Sequence, residues 1–257
     1  MKTIHTRLGA SVLILAGLAA TPAAAQDVDV SWTLGVDAVS QYVFRGVSLA
    51  DDAIQPYVEA SVGNFTVGAW ASSGFGANSE LYGDEIDLYV GYSVPLEGSL
   101  SLNLGGTYYH YPQGGGLFET EGGSAGSYEV SAALGFGEVA LAPSLAAYYD
   151  FTLEAFTLEG ALGHSVGFGE KNSFDMGLTV GHVEADGGGD YQWGHASVGI
   201  SRPINEIASV ALSANYVLNS EDNTLDVDTF VAPGGIEFAA ATDDDLFWFG
   251  LGISAGF

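Results

Sequence analysis

The feature that most constrains this chain is a period of two in its hydrophobicity. From residue 28 to residue 38, every even position is apolar and every odd position is polar or glycine. The same alternation returns at residues 85–94, 99–108 and 247–257. Because successive side chains of a β-strand point to opposite faces of a sheet, the pattern predicts strands with one apolar and one polar face. No stretch after residue 27 shows a convincing helical period, so we expect an all-β fold.

The breaks in this alternation predict twelve strands. They are expected at residues 28–44, 54–62, 65–73, 84–94, 99–109, 127–136, 139–150, 156–166, 173–183, 191–201, 208–218 and 246–257. Short turns alternate with longer connections, apart from one short connection near residues 152–155. This arrangement is typical of a transmembrane antiparallel up-and-down β-barrel, with short periplasmic turns and longer extracellular loops. Pro143 is discordant, because proline cannot donate to a strand ladder, and we interpret it as a bulge within strand 139–150.

Alternation alone would also fit a soluble β-sandwich, but the distribution of residue types favours the barrel. The polar face carries small polar residues and scattered carboxylates, and it lacks the lysines that protect the edges of soluble sheets. Aromatic residues cluster at predicted strand ends, where an interfacial girdle lies. They are Tyr42, Phe44, Tyr108, Tyr109, Tyr111, Tyr148, Tyr149, Phe151, Tyr191 and Trp193. The last strand ends at Phe257 and resembles the C-terminal signature that the barrel assembly machinery of Gram-negative bacteria reads.

The first 26 residues have the composition of a cleaved signal peptide. Lys2 and Arg7 supply the basic start, residues 8–20 the apolar run, and Ala23–Ala25 the small residues of a cleavage site. The apolar run is shorter than the roughly 20 residues of a transmembrane helix. We therefore expect residues 27–257 to form a single exported barrel. The chain contains no cysteine, so no disulfide holds it together.

The charge balance is strongly acidic, with 5 Lys and Arg against 32 Asp and Glu and a net charge of −27. Removal of residues 1–26 leaves only Arg45, Lys171 and Arg202 as cations. Nucleic acid is excluded as a partner, because phosphate binding needs clustered Lys and Arg. The mean hydropathy is nevertheless positive, at +0.24. A barrel accounts for both properties, since apolar residues face lipid while carboxylates face the lumen and the outer loops.

Residues 40–93 carry motifs that resemble the TorF-type porin family of proteobacteria. The motifs read SQYVFRGVS at residues 40–48, QP at 55–56, VGAWAS at 67–72 and EIDLYVGY at 85–92. The motif residues are Tyr42, Phe44, Arg45, Gly46, Trp70, Asp87 and Tyr89. The resemblance covers the first third of the chain. It implies a barrel in the cell outer membrane of a Gram-negative bacterium that passes solutes, but it names no substrate.

Strand parity predicts which charged residues line the lumen. Arg45 shares a face with Asp37 near the outer end of the first strand, and Glu59, Glu85 and Asp87 face the lumen by the same rule. We expect Arg45 to pair with one or more of these carboxylates across a narrow lumen. Two interpretations remain open: a structural ion pair that braces the wall, or a constriction that sets selectivity.

Three further carboxylates, Glu129, Glu159 and Asp175, also face the predicted lumen, and Arg45 is the one cation there. Clustered carboxylates in a confined space recruit cations, so an open pore should prefer cations. Eight strands give a barrel filled by side chains and 16–18 leave a wide channel. Twelve strands therefore predict a narrow pore, gated by the loop at residues 219–245.

We expect neither enzymatic activity nor a cofactor or metal site. His164 and His182 have lipid-facing parity, His110 lies in a loop, and the face of His195 is not settled. No spacing brings together a nucleophile, a base and an orienting group. The sequence also lacks the G-x-S-x-G, H-E-x-x-H and phosphate-loop motifs.

The outer loops are acidic, and we interpret their carboxylates as solvated, with divalent-cation binding as the alternative. These residues are Glu119, Glu121, Glu184, Asp186, Asp190, Glu221, Asp222, Asp226, Asp228, Asp243, Asp244 and Asp245. The sequence thus predicts a narrow porin that passes small solutes with a cation-preferring lumen. A structural or adhesive barrel without transport is the first alternative, and a barrel-embedded lipid hydrolase is the second. The expected partners are outer-membrane lipid, lipopolysaccharide, the barrel assembly machinery and small solutes or cations.

Overall fold

The computed structural model describes residues 29–75, 84–96, 98–119, 126–137, 139–186, 190–220, 230–232, 236–238 and 245–257. The predicted signal peptide, residues 1–26, lies outside them. The strands are β1 Val30–Phe44, β2 Val47–Val62, β3 Phe65–Gly74, β4 Glu85–Pro95, β5 Leu100–His110, β6 Ser127–Phe136, β7 Ser144–Asp150, β8 Ala155–Phe168, β9 Asn172–Ala185, β10 Tyr191–Pro203, β11 Ala208–Asn219, β12 Phe230–Ala232, β13 Ile236–Phe238 and β14 Asp245–Gly256. A 3₁₀ turn, Pro112–Gly114, follows β5. Within these ranges, no helix is long and apolar enough to cross a membrane.

Twelve of these strands close into one antiparallel barrel. The order around the wall follows the chain from β2 to β11, and β14 then joins β11 to β1. The closing ladder pairs Thr33 with Gly256 and continues to the pair Val39 and Gly250. β12 and β13 form a separate small hairpin within the long connection after β11. The predicted twelve-stranded up-and-down barrel is confirmed.

The two faces of the wall have opposite chemistry, as the alternation requires. On β14, Phe247, Phe249 and Leu251 are exposed on the outside, whereas Leu246 and Trp248 are buried inside. The exposed apolar side chains recur on every barrel strand and are much more extensive than the apolar patches of soluble proteins. A closed barrel satisfies its backbone hydrogen bonds within lipid, because it has no free edge. The chain is therefore an outer-membrane β-barrel.

The two ends of the barrel differ in their connections. The start of β1 and the end of β14 lie together at one end, where the Phe257 and Trp32 backbones exchange two hydrogen bonds of 2.8 and 3.0 Å. The connections between β2 and β3, β4 and β5, β6 and β7, β8 and β9, and β10 and β11 lie at this end, and all but the one between β6 and β7 are four residues or shorter. We assign it to the periplasm, since periplasmic turns of such barrels are short. We call it the inner end, and the opposite end, with the longer loops, the outer end.

Two predicted strand boundaries are wrong. β7 begins at Ser144, so Pro143 precedes the strand and needs no bulge, because a residue outside the ladder does not have to donate an N–H to it. β2 begins at Val47 rather than at residue 54. Only Arg45 and Gly46 separate it from β1, and both have positive φ, 47° and 85°. A two-residue turn of this kind matches the twist of paired strands and makes a continuous hairpin.

Candidate functional site

The outer part of the β1–β2 hairpin leaves the barrel wall. Pairing of β1 with β14 stops at Val39, and pairing of β2 with β3 begins at Ala53. Between these positions the two strands pair only with each other. A register shift between Tyr42 and Val43 marks a bulge, which bends a strand pair and increases its twist. We call residues 40–52 the plug hairpin.

The tip of the plug hairpin crosses the lumen to strands that do not adjoin it in the wall. The Asn219 side-chain amide on β11 donates a hydrogen bond to the carbonyl oxygen of Gly46. A Cβ at Gly46 would lie 2.7 Å from Cβ of Trp193 on β10. The Arg45 guanidinium lies 4.4 Å from the ring centre of Tyr148 on β7. Only a hairpin folded into the barrel can make these contacts together.

An apolar core surrounds the plug hairpin in the outer half of the lumen. The residues of this core are buried and contact one another inside the barrel. They are Val39, Tyr42, Val43, Ala50 and Ala53 of β1 and β2, with Val183 of β9, Tyr191 and Trp193 of β10, Val217 of β11, and Leu246 and Trp248 of β14. Burying one large apolar side chain contributes roughly 1.5–3 kcal/mol, so this cluster holds the hairpin in place. The outer half of the lumen is therefore packed with side chains.

Arg45 is held by carboxylates from the far wall. Its two terminal nitrogens donate to both oxygens of Glu129 on β6, at 2.6 and 3.0 Å. Its Nε lies 3.5 Å from the nearer oxygen of Glu159 on β8. The Tyr109 hydroxyl also donates to Glu129, at 3.0 Å. A guanidinium fork on a carboxylate gives two parallel charge-assisted hydrogen bonds, so Arg45 fixes the position of the hairpin tip.

A second carboxylate pair lies on β4. Glu85 and Asp87 are both buried on the luminal face of the strand. The Tyr111 hydroxyl donates to Glu85 at 3.0 Å. Burial raises the pKa of the Tyr111 phenol, and the neighbouring Glu85 carboxylate raises it further. The phenol therefore stays protonated and remains a donor to Glu85.

The inner half of the lumen has a different character. Asp175 on β9 accepts hydrogen bonds from Ser165 and Ser173, at 2.7 and 3.0 Å, and from Ser201, at 3.0 Å. Other luminal groups here are also small and polar, such as Asn103, which accepts from a serine hydroxyl at 2.7 Å. Hydroxyls line this part of the barrel and leave it wettable. The lumen thus combines a polar inner half with an apolar, occupied outer half.

The predicted partner of Arg45 is wrong. We expected Glu59, Glu85 or Asp87, whereas the guanidinium reaches Glu129 and Glu159. The reason is the plug hairpin, which carries Arg45 away from its own side of the barrel and across to the opposite wall. Arg45 itself lies in the turn after β1 rather than on the strand.

The remaining predicted luminal carboxylates have other partners. Glu59 is buried and accepts from the Tyr89 hydroxyl at 3.2 Å. Asp37 is half-buried on β1, where a Cβ at Gly252 of β14 would collide with its carboxylate. Of the motif residues, Tyr42 packs its ring 5.3 Å from that of Trp70. The motif therefore packs Tyr42 of the plug hairpin against Trp70 of β3.

The structure also places the histidines. His195, whose face the sequence left open, is buried in the lumen, where its ring stacks 5.2 Å from Trp248. His182 points outward and lies 3.0 Å from the Gln192 amide, and His164 is exposed. Among the described residues, no group of three or more His, Asp or Glu could hold a metal ion. Of the acidic loop residues, Glu121, Glu221, Asp222, Asp226, Asp228, Asp243 and Asp244 lie outside the described ranges.

We predict that Arg45→Ala strongly destabilises the barrel. Removing one partner of a buried ion pair leaves an uncompensated charge and costs about 3–5 kcal/mol. Arg45→Lys should lose less stability, because lysine keeps the positive charge but not the two-pronged guanidinium. Urea unfolding of the refolded barrel measures the free energy of unfolding of both variants. Arg202→Ala, at an exposed position of β10, is the control and should stay within about 0.5 kcal/mol of the wild type. Equal unfolding of Arg45→Ala and wild type would contradict the assigned role of Arg45.

The chain resembles outer-membrane barrels of known structure at low sequence identity. It matches a NanC porin structure at 10% identity and a TM-score of 0.53, covering 86% of this chain and 98% of that one. An outer membrane channel from Pseudomonas putida F1 matches at 12% identity and a TM-score of 0.47, with coverages of 91% and 97%. LpxR from Salmonella typhimurium matches at 11% identity and a TM-score of 0.48, with coverages of 87% and 99%. At these identities the likeness concerns the fold alone.

None of the curated proteins matches the chain. A family model described as a bacterial protein of unknown function, Gcw_chp, matches residues 21–243. The matched range includes the plug hairpin, both carboxylate groups and all barrel strands before β14. Since it spans most of the sequence, the chain belongs to the Gcw_chp family of bacterial proteins.

Proposed function

We propose that this protein is a narrow outer-membrane channel that passes small solutes, prefers cations, and is closed at its outer end by the plug hairpin. The observation that carries the proposal is the excess of buried carboxylates over cations in the outer half of the lumen. Glu85, Asp87, Glu129 and Glu159 surround the outer lumen, and Arg45 is the single luminal cation of the described residues. The likeness in fold to a NanC porin is consistent with a channel.

Electrostatics supports the preference for cations. A cleft lined by one sign of charge, with walls of low dielectric, focuses the field and concentrates counter-ions. Rings of Asp and Glu select cations in channels by this effect. Arg45 offsets one negative charge, so the ionised fraction of the other carboxylates determines the sign of the potential. The two other described cations that could matter, Lys171 and Arg202, are exposed and lie away from the lumen.

The plug hairpin supports a gated rather than a permanently open channel. Its apolar contacts and the Arg45–Glu129 fork occupy the outer half of the lumen, while the inner half stays polar. Passage of a solute therefore requires the hairpin tip to move away from β10 and β11. From the sequence we predict that the loop at residues 219–245 closes the pore, and most of this loop lies outside the described ranges. We propose that the plug hairpin closes it instead.

Reversal potentials in planar bilayers test the preference for cations. With a KCl gradient across the membrane, we expect the current of wild-type channels to reverse at a potential that favours K⁺ over Cl⁻. The double variant Glu129→Gln, Glu159→Gln should shift the reversal potential toward zero, because it removes two luminal charges. The double variant Glu184→Gln, Asp186→Asn, at two exposed positions at the outer end of β9, controls for charge outside the lumen. A preference for anions at neutral pH would refute the proposal.

A structural or adhesive barrel without transport is the second candidate. The dense apolar packing around Trp193 and Trp248 favours it, because a permanently filled lumen carries no solute. Liposome swelling with sugars, amino acids and salts separates the two functions. Swelling supports the channel, and its absence even after the plug hairpin is shortened supports the structural barrel. The TorF-type resemblance and the recognition of Phe257 by the assembly machinery stay predictions.

A further inference from the structure

The carboxylate pair on β4 is incompletely satisfied. Glu85 and Asp87 are each at least nine-tenths buried, with relative exposures of 5% and 4%. Each has one oxygen that is fully buried and meets no hydrogen-bond donor of the described residues, Oε2 of Glu85 and Oδ1 of Asp87. Buried polar groups in proteins are nearly always paired, so an orphaned carboxylate oxygen calls for an unseen ligand.

We propose that Glu85 and Asp87 form a binding site for one partly dehydrated alkali cation, Na⁺ or K⁺. This site rests on the proposed preference of the lumen for cations and locates the first binding position of the permeating ion. The Tyr111 hydroxyl, from the loop after β5, lies 3.0 Å from Glu85 and adds one phenol oxygen to the site. Four carboxylate oxygens and one phenol oxygen are therefore available within one side-chain cluster.

The spacing of the two acids suits a small cation. Residues two apart on a strand share a face, with Cα atoms roughly 6.5 Å apart, so their carboxyl groups can meet or separate by a small rotation of the side chains. A cation bound between the two orphaned oxygens would act as the counter-ion of both carboxylates.

The donor set excludes other ligands. Oxygen atoms prefer hard cations, whereas transition metals favour histidine and cysteine ligands. Calcium requires six to eight oxygens, often from several carboxylates, and the described residues contain no metal-binding group of three or more acids or histidines. Arg45 does not reach this pair, because Glu129 and Glu159 hold it.

Thermal unfolding of the refolded barrel in detergent tests the site without any current measurement. NaCl or KCl should raise the unfolding midpoint, saturably, above that in N-methyl-D-glucamine chloride of equal ionic strength, since a ligand of the folded state stabilises it. Glu85→Gln and Asp87→Asn should each lose most of this rise. Asp175→Asn, a luminal carboxylate in the inner half, is the matched control and should keep it.

Equal midpoints in Na⁺ and N-methyl-D-glucamine, or a rise that both acid variants keep, would overturn the site. A barrel that binds Na⁺ but carries no current would overturn the proposed channel and leave the cation site standing. A cation-selective barrel whose unfolding midpoint does not rise with Na⁺ or K⁺ would overturn the cation site and leave the channel standing.

Discussion

Shortening the plug hairpin is expected to open the barrel permanently. The variant replaces residues 43–50 with Asn-Gly, a pair that favours the tight two-residue turn of a hairpin. It removes Arg45 and the apolar side chains at the tip, so nothing spans the outer lumen. Pairing of β1 with β14 ends at Val39, and pairing of β2 with β3 begins at Ala53, so both wall ladders stay intact. We expect a several-fold rise in single-channel conductance and in liposome swelling.

The shortened barrel should also be more selective for cations than the wild type. It keeps Glu129 and Glu159 but loses the guanidinium that neutralises them. The control exchanges the inner turn Gly63-Asn64 for the same Asn-Gly pair, at a position where an added Cβ at residue 63 contacts nothing. This control should conduct like the wild type. A folded, hairpin-shortened barrel with wild-type conductance would show that the plug hairpin does not close the pore.

Cross-linking the plug hairpin to the wall should have the opposite effect. Asn219 contacts Gly46 directly, so the double variant Gly46→Cys, Asn219→Cys brings two cysteines side by side. A disulfide requires their Cβ atoms to be about 3.5–4.5 Å apart. The natural chain has no cysteine, so the engineered pair has no competing thiol. Under oxidising conditions we expect the current to disappear, and a reductant should restore it, because the tip can then leave the lumen.

Each single-cysteine variant controls for the substitution itself. Gly46 has a φ of 85°, which costs a side chain about 1–2 kcal/mol, and its new Cβ also approaches Trp193. Single Gly46→Cys therefore measures the strain without the cross-link. Current that is the same before and after reduction, in a chain shown by mass to hold the disulfide, would mean that ions pass without hairpin movement.

Much of the candidate site could be predicted from strand parity. Glu129 and Glu159 were expected in the lumen because alternate positions on a strand face the same side, and both lie there. Parity does not say which luminal groups meet. That depends on the register of all twelve strands and on the bend of one hairpin, which together place Arg45 beside β6 and β8 rather than β4.

The plug hairpin itself was missed. Asp51 and Asp52 interrupt the alternation, so the sequence suggested a connection at residues 45–53 where β2 already runs. A signal was nevertheless present, since Val183, Val217 and Leu246 are apolar residues at luminal positions. Such residues are unfavourable in a water-filled pore. Their presence in the outer halves of three strands indicates that another apolar segment packs against them.

The alternation of this sequence was sufficient to determine the strands, the lipid-facing and luminal faces, and the closed barrel, because a strand has a fixed side-chain period and a lipid environment allows no free edge. It also separated the two properties that first appeared inconsistent, acidity and high hydropathy. Only the tertiary structure decided that the barrel is plugged and that Arg45 crosses it. These features depend on a bulge at Tyr42 and on contacts between residues far apart in the chain, which no local pattern encodes.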